Sequence, residues 1–140
     1  MRRSSLALIT GAFILAGALQ GCSKKSRQAA ETATQEFRER YSRSEFEQMY
    51  AASAPEFWTQ VTHDDFLQLM RGATRKLGGY RSSTATGWKV YAGTNGTTVT
   101  LGFQTVFEKG KGDEVFVWRV DDSSAKLAGY HINSMAFLAE

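Results

Sequence analysis

GWKVYAGTNGTTVTLGFQTVF, residues 87–107, decides the fold. Apolar side chains recur at every second position, Trp88, Val90 and Ala92 before the middle and Val99, Leu101 and Phe103 after it. A period of two is the mark of a half-buried strand. Between the two runs stands Asn95-Gly96. That pair suits a tight hairpin turn, because a type I′ turn needs positive φ at both central residues. Pairing Thr94 with Thr97 sets Trp88, Val90 and Ala92 beside Phe103, Leu101 and Val99.

Downstream the alternation repeats. Lys109-Gly110-Lys111-Gly112 and Asp121-Asp122-Ser123-Ser124 are turn compositions. They divide the rest into strands expected at 81–92, 98–107, 114–120 and 126–133. Setting Phe107 opposite Glu114 places Phe103 beside Trp118, Leu101 beside Val120 and Thr105 beside Phe116. Ala128, Tyr130 and Ile132 of the last strand fit that same apolar face. The other face then carries Lys89, Tyr91, Gln104, Val106, Val115, Val117, Arg119, Leu127 and His131. This is more apolar than a purely solvated face requires, and an aliphatic and aromatic patch edged by Arg, Lys and His has the composition of a partner surface. Tyr91, Gln104, Val106, Val115, Val117, Arg119 and His131 are the candidate contact residues. Two plainer explanations stand beside that one: scattered exposed valines, or the chain's own first helix lying across the face.

Upstream of residue 80 the period is 3.6. Ala30, Ala33, Phe37 and Tyr41 share one side of a helix expected over 30–41. Ser44 is expected to cap a second helix, 45–52, with Phe46, Met49 and Tyr50 inward. Pro55 suits the first turn of a short third one carrying Phe57, Trp58 and Val61. The clearest helix begins at Thr62, with Asp65 three residues on as in a capping box and Asp64 and Asp65 at the positive end of the dipole. Phe66, Leu69, Met70, Ala73 and Leu77 form its stripe, and Gly78-Gly79 stops it. Helices followed by strands mean α+β: three to four N-terminal helices packed on one face of a curved four-stranded antiparallel meander.

The amino terminus reads as an address. Arg2 and Arg3 precede a short apolar stretch, Leu6 to Leu19, broken by Thr10, Gly11 and Gly17 and too short to span a bilayer of about 30 Å. Leu19-Gln20-Gly21-Cys22 follows and resembles the lipobox of bacterial lipoproteins, although Gln20 replaces the small residue usual there. The resemblance implies a signal peptide over 1–21 and a lipidated Cys22, and the Ser23 that follows resembles the sorting residue of outer-membrane lipoproteins. Residues 22–30 are then a polar tether and 31–135 a single domain. Cys22 is the chain's one cysteine, so lipidation also accounts for a thiol that no intramolecular disulfide can use. Removing Arg2 and Arg3 from a chain of 17 basic and 14 acidic residues leaves a near-neutral domain, without the basic stripe that nucleic-acid binding requires. Lys24, Lys25 and Arg27 stand next to the anchor, where they could meet anionic head groups.

No catalytic constellation is visible. The two histidines, His63 and His131, are far apart and lack the close ligand spacing of a metal site. No Gly-x-Ser-x-Gly elbow occurs, Asp64-Asp65 suits a helix start, and Gly110 and Gly112 precede no helix. No cofactor is expected.

Phe57-Trp58, Phe66, Arg75-Lys76-Leu77-Gly78 with Arg81, Phe103-Gln104-Thr105-Val106-Phe107-Glu108 and Gly129-Tyr130-His131-Ile132 follow in order. Together they resemble a bacterial domain-of-unknown-function family of small secreted lipoproteins with a nuclear-transport-factor-2-like or cystatin-like cone. The likeness spans 32–132, lacks the strand found between the helices in larger members, and implies no catalytic residues. Ketosteroid isomerase shares that fold, which would recruit Tyr80, Tyr130 and His131. Alternation, however, sends Tyr130 and His131 to opposite faces. The expectation is therefore a membrane-anchored periplasmic binding module, non-catalytic, whose partner is an unknown protein. Its sharpest form is an immunity protein that neutralises a periplasmic toxin. The alternatives are an envelope or secretion-apparatus assembly lipoprotein and a small-ligand carrier using the cone interior.

Overall fold

A computed structural model describes residues 17–139, with side chains from residue 21 onward. The expected signal peptide therefore lies outside the described residues, except for its last few backbone positions. Helices α1 (Gly17–Ser42), α2 (Phe46–Ala51), α3 (Pro55–Gln60) and α4 (His63–Leu77) precede strands β1 (Tyr80–Gly93), β2 (Gly96–Phe107), β3 (Lys111–Asp121) and β4 (Ser124–Asn133). A 3-10 turn, Met135–Leu138, follows. The strands form one antiparallel sheet in the order β1-β2-β3-β4, and α1 crosses all four of them. The class is α+β, with the helices N-terminal to a meander.

Residues 22–30 are helical, where the sequence reading placed a tether. Lys24, Lys25, Arg27, Gln28, Ala29 and Ala30 are all good helix formers, and no proline or glycine interrupts them after Gly21. Tertiary contact then holds the segment: Ala30 is fully buried, Arg27 pairs with Glu31 at 2.8 Å, and Arg27 stacks over Trp88.

Ser44 is not the cap of α2. It takes a left-handed φ of 57°, the Ser44 N–H donates to the Tyr41 carbonyl, and the Glu45 N–H donates to the Arg40 carbonyl. These are the two bonds of a Schellman motif, so Ser44 ends α1 and Glu45 precedes α2 without a side-chain cap. Thr62 does cap α4, its Oγ1 accepting from the Asp65 N–H. The buried stripe of α4 is Phe66, Leu67, Met70, Ala73 and Leu77; Leu69, expected inward, is exposed. The stripe leans toward Leu67 because α4 packs against α2, where Leu67 and Phe46 line one groove.

The first hairpin is shifted by two residues at the same loop length, and the second is tighter than expected. Gly93 pairs with Gly96, so Trp88 faces Leu101 and Val90 faces Val99, two residues from the register inferred from Thr94 and Thr97. The turn residues are Thr94 and Asn95, neither at positive φ, while Gly96 takes φ 106°. A type I turn closed by glycine has replaced the I′ turn. In the next hairpin Phe103, rather than Phe107, faces Glu114, and the Phe107 N–H donates to the Gly110 carbonyl at 2.8 Å. Both slips are even, so every side chain keeps its face. Val99, Leu101, Phe116, Trp118 and Val120 are buried on the inner side as expected.

β4 differs by an odd step. Trp118 pairs with Leu127 while Val117 pairs with Gly129, which leaves Ala128 as the extra residue of a bulge. Leu127 therefore turns inward and is buried, whereas simple alternation placed it on the outer face. Tyr130 and Ile132 remain inward, opposite Phe116 and Glu114.

The N-cap gives the first measurable expectation. Thr62→Ala should cost roughly 1 kcal/mol, seen as a lower urea midpoint at unchanged slope. An unchanged midpoint would mean that α4 is held by packing alone.

Candidate functional site

The outer face of the sheet is the candidate, and its geometry follows from where α1 lies. Phe37 of α1 meets the Phe116 ring edge-on at 5.0 Å and lies 5.0 Å from Tyr130. The Trp118 Nε1–H donates to Thr34 Oγ1 at 3.0 Å. All three sheet residues point inward, so α1 covers the inner side and does not roof the outer one.

On that outer side Tyr91 is 65% exposed and Val115 is 37% exposed. Gln104 and His131 are exposed, and Val106 and Val117 are half-buried. Register joins these residues into rows: Tyr91, Thr98 and Arg119; Lys89, Thr100, Val117 and Gly129; Gly87, Gly102, Val115 and His131. The glycines leave a shallow floor around Val115 and Val117. With Leu127 turned inward, the patch is smaller and flatter than expected. Gln104 and Val106 extend it toward the β2–β3 turn, opposite Asp113 and Lys111.

Arg119 has a different task from the one expected. Its Nε donates to Glu56 Oε1 at 2.7 Å, and its Nη1 donates to the Asn95 carbonyl at 2.9 Å. The guanidinium ties α3 to the β1–β2 tip, and it holds the Glu56 carboxyl below its ordinary pKa mainly through that hydrogen bond. It is an internal clamp at the rim of the face.

A second constellation escaped the sequence reading. Glu114 and Arg38 are 3% and 4% exposed. The Arg38 Nη2 donates to Glu114 Oε2 at 3.4 Å, Thr105 Oγ1 donates to the same oxygen, and Tyr130 Oη donates to Oε1 at 2.8 Å. The guanidinium lies 4.7 Å from the Tyr80 ring centre and 4.5 Å from that of Phe103. Its Nε and Nη1 are buried and find no hydrogen-bond partner among the described residues. The aromatic faces supply the electrostatic compensation instead. Burial, reinforced by the Glu114 charge, pushes the Tyr130 hydroxyl well above the ordinary tyrosine range. Chemically this is a carboxylate held by three donors and shut away from solvent, suited to holding α1 on the sheet. A signal for it existed. Arg38 lies one and two i+4 steps beyond Thr34 and Ala30, and Glu114 shares the inward alternation of Phe116 and Trp118.

The remaining sites are simple. His131 points outward and Tyr130 inward, so the two are not brought together, and Tyr80 is engaged with Arg38 and Ser83. His63 joins Glu47 of α2 to Asp64, and those two carboxylates raise its pKa, Glu47 most. Cys22 is exposed on the first half of α1. A cavity of about 70 Å³ lies between α1, α2 and the sheet, lined by Phe37, Met49, Trp118 and Leu127. Small-ligand pockets generally need about 300 Å³ or more.

The chain matches no family model and no curated protein.

Two outcomes follow for these groups. Arg38→Met leaves Glu114 as a buried, uncompensated charge and should cost about 3–5 kcal/mol, whereas adding Glu114→Gln should recover much of that loss. Equal stability of the single and double variants in urea would dissolve the pair's role. His63 should titrate above its ordinary value of about 6.5 by NMR, and Glu47→Gln should lower it. Because the folded-state pKa is the higher one, this contribution to stability is complete below pH ~6.5 and fades as pH rises through the folded value.

Proposed function

We propose that the protein is a lipid-anchored, non-catalytic binding domain of the bacterial envelope, held at Cys22 on the periplasmic face of the outer membrane and docking a protein partner on the outer face of its sheet. The observation that carries this reading is the position of α1. Having been used on the inner side, it leaves Tyr91, Gln104, Val106, Val115, Val117 and His131 uncovered. A floor of glycine and threonine with three valines, a tyrosine, a glutamine and a histidine suits a partner's protruding side chains. Anchoring supports the same reading, since confinement to a membrane raises the local concentration of a binding domain where its partner arrives. Among the described residues no helix is long and apolar enough to cross a membrane; in this reading the acyl chains expected at Cys22 make the attachment.

The sharpest form is an immunity protein that caps a toxin entering the periplasm; an assembly lipoprotein of the envelope is the neighbouring form. A deletion strain that becomes sensitive to sibling cells separates the two, and sensitivity favours immunity.

Docking on the sheet is tested with Val117→Asp and Val115→Asp, which leave the Arg119 clamp in place. Each should weaken a complex captured from envelope extracts by tenfold or more, a loss of about 1.4 kcal/mol, without changing thermal stability. Unaltered affinity in both variants removes this face as the docking surface. Anchoring is tested separately: wild-type protein should incorporate radiolabelled palmitate and sediment with membranes, and Cys22→Ala should do neither.

A further inference from the structure

β1 is an edge strand and the longest of the four, with 14 residues against 12, 11 and 10. β2 takes one side of its backbone. Among the described residues, no helix or turn makes a backbone hydrogen bond to the other side. Such an edge leaves about half of a strand's N–H and C=O groups to water and offers them as a template for another strand. The opposite edge of the sheet is treated differently. The Ala54 N–H before α3 donates to the Leu127 carbonyl of β4 at 2.8 Å, α3 packs against that strand, and the Ala128 bulge interrupts it.

Proteins blunt open edges with prolines, bulges and charges. β1 has no proline, and its two irregularities, between Tyr80 and Ser82 and between Ala85 and Gly87, lie in its first half. Residues 87–93 pair with 96–102 without a break. Their side chains flank the edge on both sides of the sheet, Trp88, Val90 and Ala92 on the inner side and Lys89 and Tyr91 on the outer. Val90 is half-buried and the others are exposed. A strand added here would run between the two rows, its alternate side chains meeting one row each. Charge then selects the occupant. β1 carries Arg81 and Lys89 and no carboxylate. Arg81 lies 3.8 Å from Glu108, and Arg27, over Trp88, is paired with Glu31. Lys89 is in no ion pair among the described residues, and neither is Lys24, one turn before Arg27 on α1. A second copy paired along 87–93 would set Lys89 beside or diagonal to its own counterpart, and like charges across a strand pair are destabilising. An acidic strand sets a carboxylate there instead.

We propose that residues 87–93 of the β1 edge capture an extended acidic segment of a partner protein by strand addition. Main-chain hydrogen bonds supply the affinity, and the flanking rows supply the choice of sequence. Apolar residues at alternate positions of the segment lie beside Trp88 and Val90, and the carboxylate between them lies beside Lys89. This contact goes beyond docking on the outer face and stands without it. It uses the backbone of β1 rather than Val115 or Val117, and it does not depend on the state of Cys22.

The probe is a terminally blocked peptide, matched in length to residues 87–93, in which valine alternates with glutamate. It is titrated into the isotope-labelled full chain, and amide exchange is read by NMR. Exchange should slow at alternate amides of residues 87–93, those directed away from β2, and stay unchanged in β4. The same peptide with lysine for glutamate should bind about fivefold more weakly, and Lys89→Glu should cancel or reverse that preference. A peptide N-methylated at every amide should not bind, because it has no N–H to donate. Val115→Asp should leave binding unchanged, which separates the edge from the sheet face. The peptide comparisons use the wild-type chain, so they decide the matter whatever the stability of the variants. Absence of binding at millimolar peptide, binding without protection in β1, equal binding of the lysine peptide, or binding that survives N-methylation overturns the proposal. Loss of binding in a folded Val115→Asp variant moves the peptide to the sheet face and overturns it too. Protection of β1 that rises with protein concentration in the absence of peptide assigns the edge to a second copy and overturns the acidic occupant.

Discussion

One helix has to cover the apolar side of four strands, and the rest of the molecule is arranged around that demand. The inner row of β3 is Phe116, Trp118 and Val120, flanked by Val99 and Leu101, and α1 brings Ala30, Ala33, Phe37 and Tyr41 down onto it. Small residues at the front of α1 let its backbone approach the strands. Phe37 then fills the space between Phe116 and Tyr130. The shorter helices complete the enclosure, with Tyr50, Phe57 and Phe66 forming their own aromatic group. At the end of α1 the Tyr41 hydroxyl donates to the Gly78 carbonyl, joining the covering helix to the start of the sheet.

Glu114 gives this packing its register. Apolar alternation alone cannot choose between pairings that differ by two residues, because each keeps the same faces. A buried carboxylate can choose. Only where Phe103 opposes Glu114 and Ile132 flanks it do Thr105, Tyr130 and Arg38 all reach its oxygens. A slip of two would strand the charge among aromatic rings, at the cost of an unpaired ion in low dielectric. The buried pair is thus better understood as a specifier of pairing than as a source of net stability.

The same arrangement separates two surfaces. The start of α1, where Arg27 lies over Trp88, occupies the inner side, and the outer face is defined by where α1 does not go. Arg119 lies at their junction, bound to Glu56 on one side and to Asn95 on the other, so the β1–β2 tip is braced against α3.

By itself the sequence determined the α+β class, the four strands, the caps of α4 and which apolar residues of the first three strands face inward, because all of these follow from local periodicity and from turn and cap chemistry. It also carried the Cys22 motif, which is contiguous. Only the tertiary structure decided the hairpin registers, the inward turn of Leu127, the helical state of residues 22–30 and the assignment of Ser44 to the end of α1. The registers and Leu127 depend on a paired strand and residues 22–30 on Trp88 beneath Arg27, partners distant in sequence, whereas Ser44 is settled by backbone bonds to the preceding turn of α1. The outer face was legible as a row of residues, but its openness was not. Whether a face is covered depends on which side of the sheet a helix lands, and no local pattern encodes that choice.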